Sequence, residues 1–197
     1  MDIWILTDPH FEHEMLVEES LRPKGFSERI MKNLQQRLVK PDSVLVVLGD
    51  LCWCNDAGWC ARLNELPCRK WLVLGNHDGK SVSWYMGHGF DMVCESFSLT
   101  LFGKRLLFSH MPVPNEGYDL NIHGHFHDFS LEKVKEVEPE IYGILNDRHY
   151  LVSLEKLGYE PVKLKRIIDE TNERAVGQAR GDARVPAPEH QEEPPVP

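Results

Sequence analysis

Lys70-Trp71-Leu72-Val73-Leu74-Gly75-Asn76-His77-Asp78 is the stretch on which the fold turns. A short apolar run closed by a glycine reads as a strand buried on both faces. An amide, an imidazole and a carboxylate then follow in consecutive positions. Two earlier runs have the same form. Ile3-Trp4-Ile5-Leu6 leads into Asp8-Pro9-His10, and residues 43–48 lead into Gly49-Asp50. Helical patterns separate them. Ile30, Leu34 and Leu38 recur every four residues after Ser27, which reads as the N-cap. A second helix is expected after Asn55-Asp56, running through Trp59 and Leu63 to Leu66. Strand alternating with helix predicts right-handed crossovers and a mainly parallel sheet.

The pattern changes in the second half. Residues 91–102 read as extended, Gly103-Lys104 as a tight turn, and residues 105–108 as the return strand. Residues 119–122 and 150–152 read as further short strands. Pro161 with Val162, Leu164, Ile167 and Ile168 predicts a closing helix with proline near its first turn. One domain is expected over 1–170. In 171–197 the only large aliphatics are Val176, Val185 and Val196, and five of the chain's 13 prolines lie between Pro186 and Pro197. So little apolar surface cannot offset ordering entropy, and a disordered tail is expected there.

The 197 residues carry a formal net charge of −9, which disfavours electrostatic capture of nucleic acid. No apolar run is long enough to span a bilayer. Asp2 and Asp8 interrupt the N-terminal segment, so it does not read as a secretory leader. With five cysteines, an odd number, this predicts reduced thiols in a cytoplasm.

Five of the strands are followed by groups that bind cations or move protons. The sets are Asp8 and His10; Asp50; Asn76, His77 and Asp78; His110 after Ser109; and His125 and His127 in His123-Gly124-His125-Phe126-His127. In open α/β sheets, ligands bind at the carboxyl ends of strands. Imidazole, carboxylate and amide oxygen without cysteine suit a borderline divalent metal. Leaving His77 and Asp78 aside, seven such groups exceed the four of a structural zinc site and suit two metals sharing a carboxylate.

Asp-x-His, Gly-Asp, Gly-Asn-His-Asp, a lone His and Gly-His-x-His, in this order, resemble the calcineurin-like metallophosphoesterases over residues 1 to about 155. The opening Asp8-Pro9-His10-Phe11-Glu12-His13 is most similar to small single-domain bacterial and phage members. The resemblance implies a four-layer αββα sandwich, with two mixed sheets packed face to face and helices outside. It implies that Asp8, His10 and His127 hold one metal, that Asn76, His110 and His125 hold the other, and that Asp50 bridges them. Mn²⁺ is the first expectation, with Fe²⁺, Ni²⁺ or Zn²⁺ as alternatives. The implied reaction is hydrolysis of a phosphate ester by a metal-activated water. His77 would act as general acid or phosphate-binding group, with Asp78 orienting its imidazole. Pro9 stands where relatives usually carry a small or hydroxyl residue, which removes one backbone N–H.

A small phosphate ester is the expected substrate, with diesters preferred. A monoesterase acting on a nucleotide or sugar phosphate is the alternative. A nuclease and a non-catalytic scaffold rank below these. Arg22, ahead of Pro23, is a candidate phosphate clamp. Trp53, close to Asp50, is a candidate base-stacking residue, whereas Trp59 reads as core. His13 and His123 flank the ligand motifs and read equally as supporting groups or bystanders. Cys52, Cys54, Cys60 and Cys68 match no common zinc spacing and read as small buried hydrophobes.

Overall fold

The computed structural model describes residues 2–114 and 117–182, with side chains to residue 175. The element order is β1 (Ile3–Leu6), α1 (Met15–Glu18), α2 (Phe26–Arg37), β2 (Val44–Leu48), α3 (Asp56–Asn64), β3 (Arg69–Val73), α4 (Val82–Gly87), β4 (Met92–Cys94), β5 (Ser96–Leu101), β6 (Lys104–Ser109), β7 (Leu120–His123), α5 (Leu131–Val137), α6 (Pro139–Tyr142), β8 (His149–Leu151), β9 (Val162–Lys163) and α7 (Leu164–Asp182).

Two mixed sheets flanked by helices result, with strand orders β4-β3-β2-β1-β9 and β5-β6-β7-β8. The first sheet is parallel apart from β9. The second joins an antiparallel β5–β6 pair to parallel β6–β7 and β7–β8 pairs. Strand alternation divides the apolar residues between two cores. Ile3, Ile5, Val44, Val46, Leu48 and Val73 meet Leu106, Phe108, Leu120 and Ile122 of the second sheet. Leu6, Leu45, Val47 and Leu72 face the opposite way, onto Ile30, Met31 and Leu34 of α2, Trp59 and Leu63 of α3, and Tyr85 of α4. Burial on both faces explains why β1 and β2 read as continuous apolar runs.

Four local readings change. The extended stretch 91–102 is two strands that part at Glu95, one in each sheet. Pro161 precedes a strand rather than a helix, because Val162 pairs antiparallel with Ile5 and closes the free side of β1. Ser27 lies inside α2, whose N-cap is Gly25 at φ 75°, and its hydroxyl accepts the Glu12 N–H at 3.1 Å. The boundary expected after residue 170 falls within α7, which continues to Asp182. There Thr171 Oγ1 donates to the Ile167 carbonyl at 2.8 Å, and the Arg174 guanidinium lies 5.2 Å from the Tyr150 ring centre. The Arg174 contact reaches β8, whereas the Thr171 bond lies within α7 itself. Residues 183–197 of the expected tail lie outside the described residues.

The α5–α6 pair was not anticipated. Its signals are local: Ser130 Oγ accepts the Lys133 N–H as an N-cap, and Pro139 opens α6. Cys52, Cys60 and Cys68 are buried as expected, but Cys54 is exposed.

Candidate metal centre

The carboxyl ends of β1, β2, β3, β6 and β7 meet at one edge of the paired sheets. Strand ends there turn abruptly, and Asp8, His10, Asp50, His125 and His127 all have positive φ, between 45° and 74°. Non-glycine residues rarely occupy that region, and a cluster of them marks a functional site held by its surroundings. Glycines let the strand ends approach one another. A Cβ on Gly124 would sit 1.7 Å from Thr7 Oγ1 and 2.3 Å from Asp8 Oδ2, and one on Gly75 would sit 2.2 Å from Asp50 Oδ1.

All seven residues expected as ligands come together here. The donor atoms of Asp8, His10 and His127 lie within 4.8 Å of one another, as do those of Asp8, Asp50 and His110. His110 Nε2 is 2.8 Å from the Asn76 amide oxygen and 3.2 Å from His125 Nδ1. Asp50 Oδ2 lies 3.4 Å from His10 Nε2 and 3.5 Å from His110 Nε2, between the two groups.

The donor set fits divalent cations. His110 Nδ1–H donates to the Leu48 carbonyl at 2.9 Å, so Nε2 presents a lone pair. That lone pair faces an amide oxygen, a carboxylate oxygen and another imidazole, a donor set suited to a divalent cation. His10 Nδ1 is buried with no hydrogen-bond partner. Burial, then the charges of His127 and Arg22, push the His10 pKa down to about 2, so its imidazole is neutral, as a metal ligand must be. Burial raises the pKa of Asp8, a cost of keeping an anion there that a bound cation offsets.

Two carboxylates that sequence reading missed complete the site. Glu138 Oε1 lies 2.8 Å from His125 Nε2. Glu155 Oε1 lies 3.1 Å from His127 Nδ1. Each occupies the ring nitrogen turned away from the proposed metal position and so fixes the orientation of the imidazole. Burial alone would raise the Glu155 pKa, but the His127 hydrogen bond and the Arg22 charge hold it at about 2. No sequence signal marks either glutamate, since neither belongs to a motif.

Two further residues take roles other than those expected. The Arg22 side chain is 1% exposed, leaving no open face for a phosphate. Its guanidinium donates to Glu155, to the Pro9 carbonyl at 2.9 Å and to the Asp8 carbonyl at 2.9 Å. It therefore holds the first ligand turn in place. The Asp78 carboxylate accepts N–H groups from Asp50 and Leu51 at 2.9 Å and from Gly75 at 2.7 Å. Those bonds join two ligand turns, and no bond to the His77 ring occurs among the described residues. His77 is exposed, its N–H donating to Asp50 Oδ1 at 2.9 Å and its ring 5.7 Å from that of His10.

His13 stacks on Trp53, whereas His123 is buried with Nδ1 3.0 Å from the Gly124 carbonyl. Trp59 is core, stacked on Phe11 at 4.1 Å.

A model of the calcineurin-like phosphoesterase family matches residues 1–174, and the chain belongs to that family. It is accordingly a metal-dependent hydrolase of phosphate esters. An uncharacterised protein of Methanocaldococcus jannaschii is 27% identical over 176 residues, spanning 84% of this chain and 89% of its own. The crystal structure of a protein of unknown function from Aquifex aeolicus is similar with a TM-score of 0.67 and 27% identity. That match covers 86% of this chain and 98% of the other. No helix among the described residues is long and apolar enough to cross a membrane.

Proposed function

We propose that this chain hydrolyses small phosphodiesters with two divalent ions, Mn²⁺ foremost, held at the strand ends. The position of Asp50 Oδ2, within 3.4 and 3.5 Å of one imidazole from each ligand group, supports the two-ion reading. Asp8, His10 and His127 would hold one ion, Asn76, His110 and His125 the other, and Asp50 would be shared by both. When bound, such ions neutralise phosphate oxygens and lower the pKa of water. The protein's own groups do the rest. Glu138, Glu155 and Arg22 fix the ligand geometry. Asp78 ties the Asp50 turn to the Asn76 turn. His77 is exposed beside the centre, where its imidazole protonates the leaving oxygen.

The exposed Asn76 and His77 make an open face, which favours diesters over the monoester alternative. The net charge of −9 favours a small substrate over nucleic acid. The free cysteines suit a reducing, cytoplasmic setting.

The test is a panel of phosphodiesters, phosphomonoesters and cyclic nucleotides with Mn²⁺, Ni²⁺, Zn²⁺ and Mg²⁺, paired with metal analysis. Two equivalents of metal per chain and faster diester turnover are expected. One equivalent, or turnover of monoesters alone, overturns the reading.

A further inference from the structure

We propose that Trp53 is a stacking platform that selects phosphate esters carrying a nucleobase, a substrate class within the phosphodiesterase reading above, on which this inference rests. Trp53 follows Asp50 by three residues, and one face of its indole is covered. The His13 ring lies against it at 3.8 Å with an interplanar angle of 1°. The Trp53 backbone N–H donates to the Phe11 carbonyl at 3.0 Å, tying the segment to the first ligand turn. Yet Trp53 is 44% exposed. Much of the residue is therefore open to solvent beyond the His13 stack. Trp59, six residues later, is 2% exposed within the core, so the exposure of Trp53 is specific to its position.

The platform sits beside the reaction centre. His13 lies 5.3 Å from the His10 ring. The His77 ring is 5.7 Å from His10 and 5.2 Å from Trp53, so it neighbours both the proposed metal ligand and the platform. A phosphate held at the centre and reached by His77 would project its next group towards Trp53. An aromatic side chain already stacked on one side binds another planar ring at reduced entropic cost. Every nucleobase has such a face, whereas an alkyl or sugar ester has none.

The experiment uses the metal-loaded full chain and two diesters, adenosine 5′-(methyl phosphate) and ribose 5-(methyl phosphate), which differ only in the base. Trp53→Ala is expected to lower the ratio of their kcat/KM values by roughly 5- to 150-fold. Trp53→Phe, which keeps an aromatic face, should restore most of it. An unchanged ratio in Trp53→Ala overturns the platform while leaving the hydrolytic reading intact. Calorimetric binding of adenosine 5′-monophosphate and ribose 5-phosphate separates the two ideas when turnover fails. If wild type hydrolyses neither diester but binds the nucleotide more tightly in a Trp53-dependent way, the phosphodiesterase reading falls and the platform stands. Equal binding of the two monophosphates by wild type overturns the platform.

Discussion

Asp78 Oδ2 accepts the backbone N–H of Asp50 at 2.9 Å and that of Gly75 at 2.7 Å. One carboxylate oxygen thus fastens together the turns after β2 and β3, which carry the proposed bridging and amide ligands. Asp78→Ala should strand three partly buried donors and destabilise the fold by about 3 kcal/mol or more. Asp78→Asn, which keeps one acceptor oxygen, should lose less. Urea unfolding of both variants checks the order. Equal stability of wild type and the alanine variant would show that the three bonds contribute nothing.

Asp50→Asn should abolish turnover and weaken retention of both ions, because a neutral amide cannot balance two cations. Metal analysis after dialysis, alongside an activity assay, reads both effects. Two retained equivalents with near-normal rate would remove Asp50 from the bridging position.

Gly124→Ala should disrupt the centre through space alone. The added methyl would meet Thr7 Oγ1 and Asp8 Oδ2 far inside contact distance. Overpacking of this kind costs about 1–3 kcal/mol, and displacement of Asp8 should weaken metal binding by roughly 10- to 100-fold. Gly87→Ala is the control, since nothing lies within 4 Å of its Cβ position. Thermal melts with and without added Mn²⁺ compare the two.

Arg22→Met should cost about 3–5 kcal/mol, because it leaves the Glu155 carboxylate largely buried without its cation. Adding Glu155→Met should recover part of that loss, a coupling that a double-mutant cycle measures. A phosphate clamp would behave differently, raising KM with the melting temperature unmoved.

His77→Asn should slow hydrolysis of an alkyl ester by roughly 10²–10⁴-fold, the usual range for general acid help. A nitrophenyl ester, whose leaving group hardly needs a proton, should lose far less. Equal losses on both would indicate phosphate binding throughout the reaction instead. The ions should remain bound, and their loss would make His77 a ligand.

Much of the centre was legible because its signals are contiguous. Gly75-Asn76-His77-Asp78 and His123-Gly124-His125-Phe126-His127 each place their groups within one turn of a strand end, where chain geometry leaves little freedom. The strands were legible for the same reason, since β1 and β2 are buried on both faces and read as unbroken apolar runs. Legibility failed where a choice depended on a distant partner. Val162 became a strand because Ile5 offered an open edge. Residues 91–102 divided because the two sheets compete for them.

The sequence by itself determined the class of fold, the kind of chemistry and the groups that would converge, because hydrophobic period and ligand spacing are local properties. Tertiary structure alone decided how those groups are held. Arg22 and Glu155 are 133 residues apart, yet they are hydrogen-bonded to each other, with Arg22 also holding the Asp8 carbonyl and Glu155 lying against His127 Nδ1. Whether Arg22 meets a phosphate or a carboxylate, whether Asp78 turns to an imidazole or to three backbone amides, and how much of Trp53 stays open all depend on which chain segment fills the adjacent space. Spacing along the chain carries no record of that, because side-chain partners are chosen by packing and desolvation after the strands have assembled.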